Sequence, residues 1–293
     1  MNIQEALRVA SQKLISHSHS PLLDAEILLS FCLKKNQIYL LTHYEEKITS
    51  TQQKKYFNLI KKRINNFPVA YLTNEKWFFG KKFFVNKNVL VPRPETEIMV
   101  EKIIEKISNS SCKNIILIDL GTGSGCIPIS VNKNLLSKKI QTLAIDISAS
   151  ALLVAKKNIK LHKLSKKIQL LKGNLLTPLI RENKYKKQIN RSESLIIISA
   201  NLPYLTPEQV KKSKSIQKEP RQALVAGTDG LKYYRLLFEQ ISQHFNNKNV
   251  ITFCEIDPSQ KNKIKQLIKN KLPNSQISLE KDYKSHHRLV IIS

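Results

Sequence analysis

Apolar residues near the start of the chain recur at helical spacing. Ile3, Ala6, Leu7, Ala10 and Leu14 share one face, with polar residues between them. A second stripe runs through Leu22, Ala25, Ile27, Leu28, Leu29 and Leu33, with Ser20 or Asp24 around Pro21 as its cap region. A third passes through Tyr56, Leu59, Ile60 and Ile64, and Pro68 stops it. The pattern predicts a small all-helical domain over residues 1–74.

The period changes at residue 75. Trp77, Phe78, Phe79, Phe83 and Phe84 flank Gly80-Lys81-Lys82, which predicts a β-hairpin turning at those three residues, with the aromatics as packing and residues 75–92 as a linker. Over residues 93–293, short apolar runs alternate with helical stripes. Strands are expected at Ile115–Leu120, Thr142–Asp146, Ile168–Lys172, Leu195–Ala200, Val250–Glu255, Gln276–Leu279 and Leu289–Ile292. Helices are expected at Ser148–Leu161 and Asp229–Phe245. Such alternation implies an α/β fold, a mostly parallel sheet covered by helices on both faces. The missing helix between the last two strands suggests a final antiparallel hairpin.

Composition narrows the class. The helical N-terminus lacks the unbroken apolar core of a secretory signal, and no apolar run approaches the ~18 residues of a membrane span. A cytoplasmic monomer with no membrane partner is expected. Cys32, Cys112, Cys126 and Cys254 stand far apart, so neither a disulfide framework nor a metal site is expected. The net charge is +27, but 41 of the 49 basic residues are lysines. Phosphate-binding sites favour the planar fork of arginine, so compositional drift accounts for this charge better than a nucleic-acid partner. Steering of an acidic partner or nucleic acid stays open.

Chemistry concentrates at two strand ends. The first strand of the sheet runs into Gly121-Thr122-Gly123-Ser124-Gly125 before a helical segment. Glycines there allow a tight turn pressed against a ligand, and the following helix offers free N–H groups. The second strand ends at Asp146, where a carboxylate can accept both hydroxyls of a ribose. NAD, a flavin or S-adenosylmethionine could each use this pair. The spacing is not the dinucleotide G-x-G-x-x-G, since Cys126 occupies the final glycine position.

The fourth strand ends in Asn201-Leu202-Pro203-Tyr204. These residues suit a planar NH2 group, whose lone pair is drawn into resonance and which must be gripped to react. The Asn201 side-chain oxygen and the Leu202 carbonyl can each accept one of its N–H bonds. Pro203 holds Leu202 extended, and Tyr204 can stack on the flat group.

Asp119-Leu120-Gly121-Thr122-Gly123-Ser124-Gly125 with Asn201-Leu202-Pro203-Tyr204 resembles the amino-methylating class I methyltransferases. Val91-Pro92-Arg93-Pro94-Glu95-Thr96-Glu97 resembles, more narrowly, the HemK-like peptide chain release factor glutamine methyltransferases. So do Asp24-Ala25-Glu26, Glu219-Pro220-Arg221, Gly227-Thr228-Asp229-Gly230-Leu231, and Asp282-Tyr283 with Arg288. The resemblance implies a seven-stranded Rossmann-like sheet behind a substrate-recognising helical domain. It implies methylation, by S-adenosylmethionine, of the N5 amide of the glutamine in the Gly-Gly-Gln loop of release factors. Gly121, Thr122, Gly123, Ser124, Gly125, Asp146, Asn174, Leu175 and Asn201 would bind the cofactor. Asn201, Leu202, Pro203 and Tyr204 would hold the glutamine and carry the reaction, with Arg93 and Glu95 at the floor or entrance.

Four positions depart from the family pattern: Leu202 replaces a usual proline, Asn174 an aspartate, Leu175 an aromatic, and Asn74 a turn glycine. Asn-Leu-Pro-Tyr is also the form favoured by rRNA adenine N6-methyltransferases, so that activity is one alternative. A catalytically impaired ribosome or RNA binder is another.

Overall fold

The structure, a computed structural model, describes residues 1–185, 194–245 and 249–293. They divide into two compact units: Met1–Glu75 with Lys211–Lys218, and Lys76–Val210 with Glu219–Ser293.

The first unit contains α1 (Ile3–Leu14), α2 (Pro21–Leu33), α3 (Gln37–Thr42), α4 (Ser50–Ile64) and α5 (Val69–Thr73). The α1 stripe read from the sequence is its buried face, and it packs with Ala25, Leu28, Leu29, Tyr56 and Ile60 in one core. Asn2 and Thr49 cap α1 and α4 with reciprocal capping boxes. Ser20 occupies the cap position of α2 without a side-chain bond, while Asp24 pairs with Arg63 at 2.7 Å. Leu22, expected on the buried stripe, is exposed. Asn74 adopts φ +57, the left-handed turn for which asparagine is the best substitute after glycine.

The hairpin pairs β1 (Glu75–Phe78) with β2 (Lys81–Phe84). Its turn is Phe79-Gly80, with φ of +49 and +65, one residue earlier than the sequence suggests. Lys81 and Lys82 belong to the strand because Phe78 and Phe83 must both face inward, where they join the core beneath the large sheet. Trp77 is exposed beneath the Lys82 ammonium.

The large sheet contains β3 (Asn114–Leu120), β4 (Ile140–Asp146), β5 (Ile168–Lys172), β6 (Ser194–Ala200), β7 (Val250–Glu255), β8 (Ile277–Lys281) and β9 (His287–Ile292). Their order is β5-β4-β3-β6-β7-β9-β8; the first five are parallel, and β9 runs antiparallel to both neighbours. Alternation along β3 and β6 supplies two cores. Ile116, Ile118, Leu120, Ile196 and Ile198 face α9 (Lys232–His244) and α10 (Lys261–Lys271). Ile115, Leu117, Leu195 and Ile197 face α6 (Glu97–Ser108), α7 (Cys126–Asn134) and α8 (Ala149–Leu161). Burial on both faces is why these strands read as continuous apolar runs. α9 starts later than the expected Asp229, because Gly230 turns the chain at φ +73 and the Asp229 side chain accepts the Leu231 N–H. Among the described residues, no helix is long and apolar enough to cross a membrane.

The chain lays down β3, β4 and β5 outward in one direction, then returns to place β6 on the other side of β3. Loops leaving β3 and β6 therefore diverge at a topological switch point, where open α/β sheets form a ligand crevice.

Candidate active site

The loop after β3 is built largely from backbone. Gly121, Gly123 and Gly125 take φ of +68, +53 and +78, conformations that cost other L-residues strain. At Gly121 it is the backbone and not crowding that calls for glycine, since a Cβ there would meet the Leu202 side chain and the Asn201 carbonyl at ordinary contact distances of 3.4 and 3.5 Å. Asp146 holds this loop to the next strand. Its Oδ2 accepts the Gly123 N–H at 2.9 Å, and its Oδ1 accepts the Ser148 N–H at 2.8 Å. Each oxygen retains lone-pair capacity on the crevice side. Burial raises the Asp146 pKa, against the pull of these N–H donors. Asn158 of α8 secures the loop from behind, donating to the Ser124 carbonyl while exchanging two hydrogen bonds with Phe84 of the hairpin.

Beneath the loop, Asp119 is fully buried and accepts the Ser199 hydroxyl at 2.7 Å. Burial pushes its carboxyl up to about 7, although hydrogen bonding pulls the other way. The loop after β5 completes this side. Gly173 donates to the Asp146 carbonyl, and any Cβ there would collide with the Pro178 ring at 2.1 Å. Asn174 and Leu175 follow, with Leu175 buried at φ +50.

The loop after β6 is held differently. The Asn201 NH2 group donates to Glu255 Oε2 and to Thr96 Oγ1, both at 3.0 Å. Thr96 in turn donates its hydroxyl to Glu255 Oε2 at 2.6 Å, and the Tyr204 hydroxyl donates to Glu255 Oε1 at 3.1 Å. Among the described residues, no hydrogen bond uses Asn201 Oδ1 or the Leu202 carbonyl. Gln260 donates to the Tyr204 carbonyl at 2.8 Å and to that of Asp229 at 3.3 Å. Gly230 passes so close that a Cβ would lie 2.2 Å from both the Tyr204 carbonyl oxygen and Gln260 Nε2. Burial, and then the nearby Glu255, drive the Tyr204 pKa far upward, so its phenol stays protonated.

One crevice joins the two sides. Of the residues expected from the sequence, Gly121, Thr122, Gly123, Ser124, Asp146, Asn174, Leu175, Asn201, Leu202, Pro203 and Arg93 line it. Gly125, Glu95 and Tyr204 do not. Gly125 shapes the start of α7, Glu95 lies in the 3-10 turn Pro94–Thr96, and Tyr204 puts its hydroxyl on Glu255. Arg93 pairs with the buried carboxylate of Glu219, which also accepts the Val91 N–H at 3.0 Å. That carboxylate clamps the Pro-Arg-Pro-Glu-Thr-Glu segment along the crevice.

Sequence reasoning missed Thr96, Glu255 and Gln260. A faint signal existed for Glu255, a carboxylate closing an expected apolar strand; only the folded sheet places that strand beside the Asn201 strand. Among the described residues, no group of three or more His, Cys, Asp or Glu side chains could hold a metal ion.

Comparison with known proteins follows the same division. Residues 5–73 match the PrmC N-terminal domain, and residues 94–201 match the model described as ribosomal protein L11 methyltransferase (PrmA). The release factor glutamine methyltransferase of Bacillus cereus is 31% identical over 293 residues, covering 99% of this chain and 98% of its own. That of Clostridium acetobutylicum is 34% identical, covering 92% and 90%. Among solved structures, the hMettl16 catalytic domain in complex with the MAT2A 3′UTR hairpin 6 overlays with a TM-score of 0.55. It is 16% identical and covers 73% of this chain and 75% of its own, a likeness of fold.

Proposed function

Because the chain belongs to the release factor glutamine methyltransferase family, we propose that it methylates N5 of the glutamine in the Gly-Gly-Gln motif of peptide chain release factors, using S-adenosylmethionine. The observation that carries this reading is the state of Asn201. Its NH2 group is committed to Thr96 and Glu255, while its oxygen, like the Leu202 carbonyl, takes part in no hydrogen bond among the described residues, and both residues line a glycine-walled crevice.

The residues fit the methyl donor. Three positive-φ glycines leave room for a ligand against the backbone, and Asp146 keeps acceptor capacity for a ribose after binding Gly123 and Ser148. Asn174 would accept from the adenine amino group through its side-chain oxygen, and Leu175 would pack on the ring. When bound, S-adenosylmethionine supplies an electrophilic methyl on a positively charged sulfur.

Asn201 Oδ1 and the Leu202 carbonyl would then take the two hydrogens of the glutamine amide and hold its nitrogen in line. Pro203 keeps the Leu202 carbonyl extended. Attack needs no prior deprotonation, and the nitrogen releases its proton to solvent once alkylated. Positioning is therefore the main contribution, a source of at most ~7–11 kcal/mol. Arg93 is held by Glu219 at the rim. The helical unit would recognise the release factor, a role consistent with the exposed Leu22, Leu23 and Phe31 on α2. The reading is of a cytoplasmic monomer.

Incubation with labelled S-adenosylmethionine and either a release factor or ribosomal RNA tests the assignment. Label in the release factor, lost when its Gly-Gly-Gln glutamine is replaced, is expected; label in RNA alone would establish the adenine alternative instead. Absence of donor binding by calorimetry would point to the non-catalytic alternative.

A further inference from the structure

We propose, resting on the reading that Asn201 accepts the substrate amide, that Glu255 is a positioning residue that dictates which end of the Asn201 side chain meets the substrate. Through Asn201 it makes the site select an N–H-bearing acceptor over a carboxylate.

A carboxamide has two ends of nearly equal size and opposite hydrogen-bonding character. The shape of the crevice alone does not decide which end faces the substrate. The layer behind Asn201 does. Glu255 accepts a hydroxyl hydrogen at each oxygen, from Thr96 and from Tyr204, and its Oε2 stands 3.0 Å from the Asn201 nitrogen, which can only donate to it. Thr96 spends its single proton on that same oxygen, at 2.6 Å, which leaves its lone pairs for the second Asn201 N–H at 3.0 Å. Both hydrogens of the NH2 group are thereby used, and Oδ1 must point the other way. Turning the amide over would set Oδ1 against Glu255 Oε2 with no proton between them, and would strand the NH2 group.

Glu255 is itself fixed. Its Oε1 accepts from Tyr204, its backbone carbonyl accepts from Tyr234, and Leu289 of β9 pairs with it across the sheet. Burial raises the Glu255 pKa, and Glu95 adds to that, whereas the hydrogen bonds from Thr96 and Tyr204 and the charge of Arg288 favour the carboxylate that accepts from Asn201. The arrangement is acceptor-outward at a point where the substrate must be a donor. A glutamine amide satisfies it, whereas a glutamate carboxylate in the same place would meet two acceptors.

The test uses the full chain and three variants. Glu255→Leu removes the acceptor; Glu255→Gln keeps one, because its amide oxygen can face Asn201 and Thr96 while its NH2 faces the Tyr204 oxygen. Thr96→Val removes both bonds that the hydroxyl makes in the same lock, with little change of shape, and leaves the direct bond from Asn201 to Glu255. Turnover of a release factor, S-adenosylmethionine affinity by calorimetry and melting temperature are measured together. Inhibition by a release factor carrying glutamate in place of the motif glutamine is also measured.

Glu255→Leu is expected to lower kcat on the order of 10²-fold, the scale of a small misplacement at a reacting centre. Donor affinity should persist, and inhibition by the glutamate-bearing factor should strengthen, because a freed NH2 can turn toward the carboxylate. Thr96→Val should move both quantities the same way by less. Glu255→Gln should restore kcat to within about tenfold of the native chain, the scale of a net hydrogen bond, without that gain in inhibition.

Native turnover in Glu255→Leu, an equal loss in Glu255→Gln, or unchanged inhibition by the glutamate-bearing factor in both Glu255→Leu and Thr96→Val would each overturn the proposal. If Glu255→Leu fails to fold, Thr96→Val and Glu255→Gln decide it. Asn201→Ala separates the two claims. Turnover retained there removes the Asn201 reading and this role with it. A dead Asn201→Ala beside a fully active Glu255→Leu removes only the role of Glu255.

Discussion

The loops that leave β3 and β6 share a crevice but are stabilised on different principles. The first is shaped by its own glycines and by Asp146, the end of the neighbouring strand. The second has no special backbone of its own and is held by side chains from afar. Thr96 and Glu255 lie 105 and 54 residues from Asn201, and Gln260 lies 56 residues from Tyr204. The difference suits the role proposed for each. A cofactor cradle needs room and backbone donors, which local conformation provides. An amide grip needs one side chain in one rotamer and one flip state, which requires partners from outside the loop.

Removing the gripped residue should have the largest effect. Asn201→Ala is expected to lower kcat at least on the order of 10²-fold while leaving the Kd for S-adenosylmethionine near native, read by turnover and calorimetry. An equal loss of donor affinity would mean that the two loops do not divide the work. Asp146→Ala should do the reverse in kind. Loss of charged hydrogen bonds of about 1.5–3 kcal/mol predicts a Kd raised roughly 10- to 100-fold, with part of the effect arising from the released Gly123 N–H.

Gly230→Ala tests support from outside the loop without touching the crevice. The new methyl must displace Gln260 or the Tyr204 carbonyl and must adopt φ +73. A loss of about 1–3 kcal/mol in stability is expected, with kcat falling more than donor affinity, measured by denaturant melts and kinetics. Asn174→Asp should matter least. It restores a charge to the acceptor expected at the adenine amino group, and donor Kd should tighten by less than about tenfold.

This contrast also explains what was legible in the sequence. Glycine spacing, Asp146 and the Asn201 tetrapeptide are adjacent letters whose conformational demands are local, so they could be read directly. Strands β3 and β6 were equally clear, because burial on both faces leaves apolar runs such as Ile115–Ile118 and Leu195–Ile198. Glu255 could be placed at a strand end but not assigned a partner, since β6-to-β7 register brings it to Asn201 only in the folded sheet. The hairpin turn was misplaced because Phe79 adopts φ +49, a conformation bulky residues avoid. Burial of Phe78 and Phe83 overrides that preference. Helix α3 spans six residues between an Asn36 cap and His43, too short to show a period.

The late position of Glu255 has a bearing on biosynthesis. A growing chain makes the glycine turn, Asp146 and Asn201 before it makes β7, and the antiparallel β8–β9 pair that flanks β7 follows later still. A nascent polypeptide stalled before β7 would carry every cofactor-side residue, yet the Asn201 carboxamide would have Thr96 alone behind it, without the carboxylate that takes the Thr96 proton. Competence for methyl transfer would thus wait for β7 and the strands that flank it.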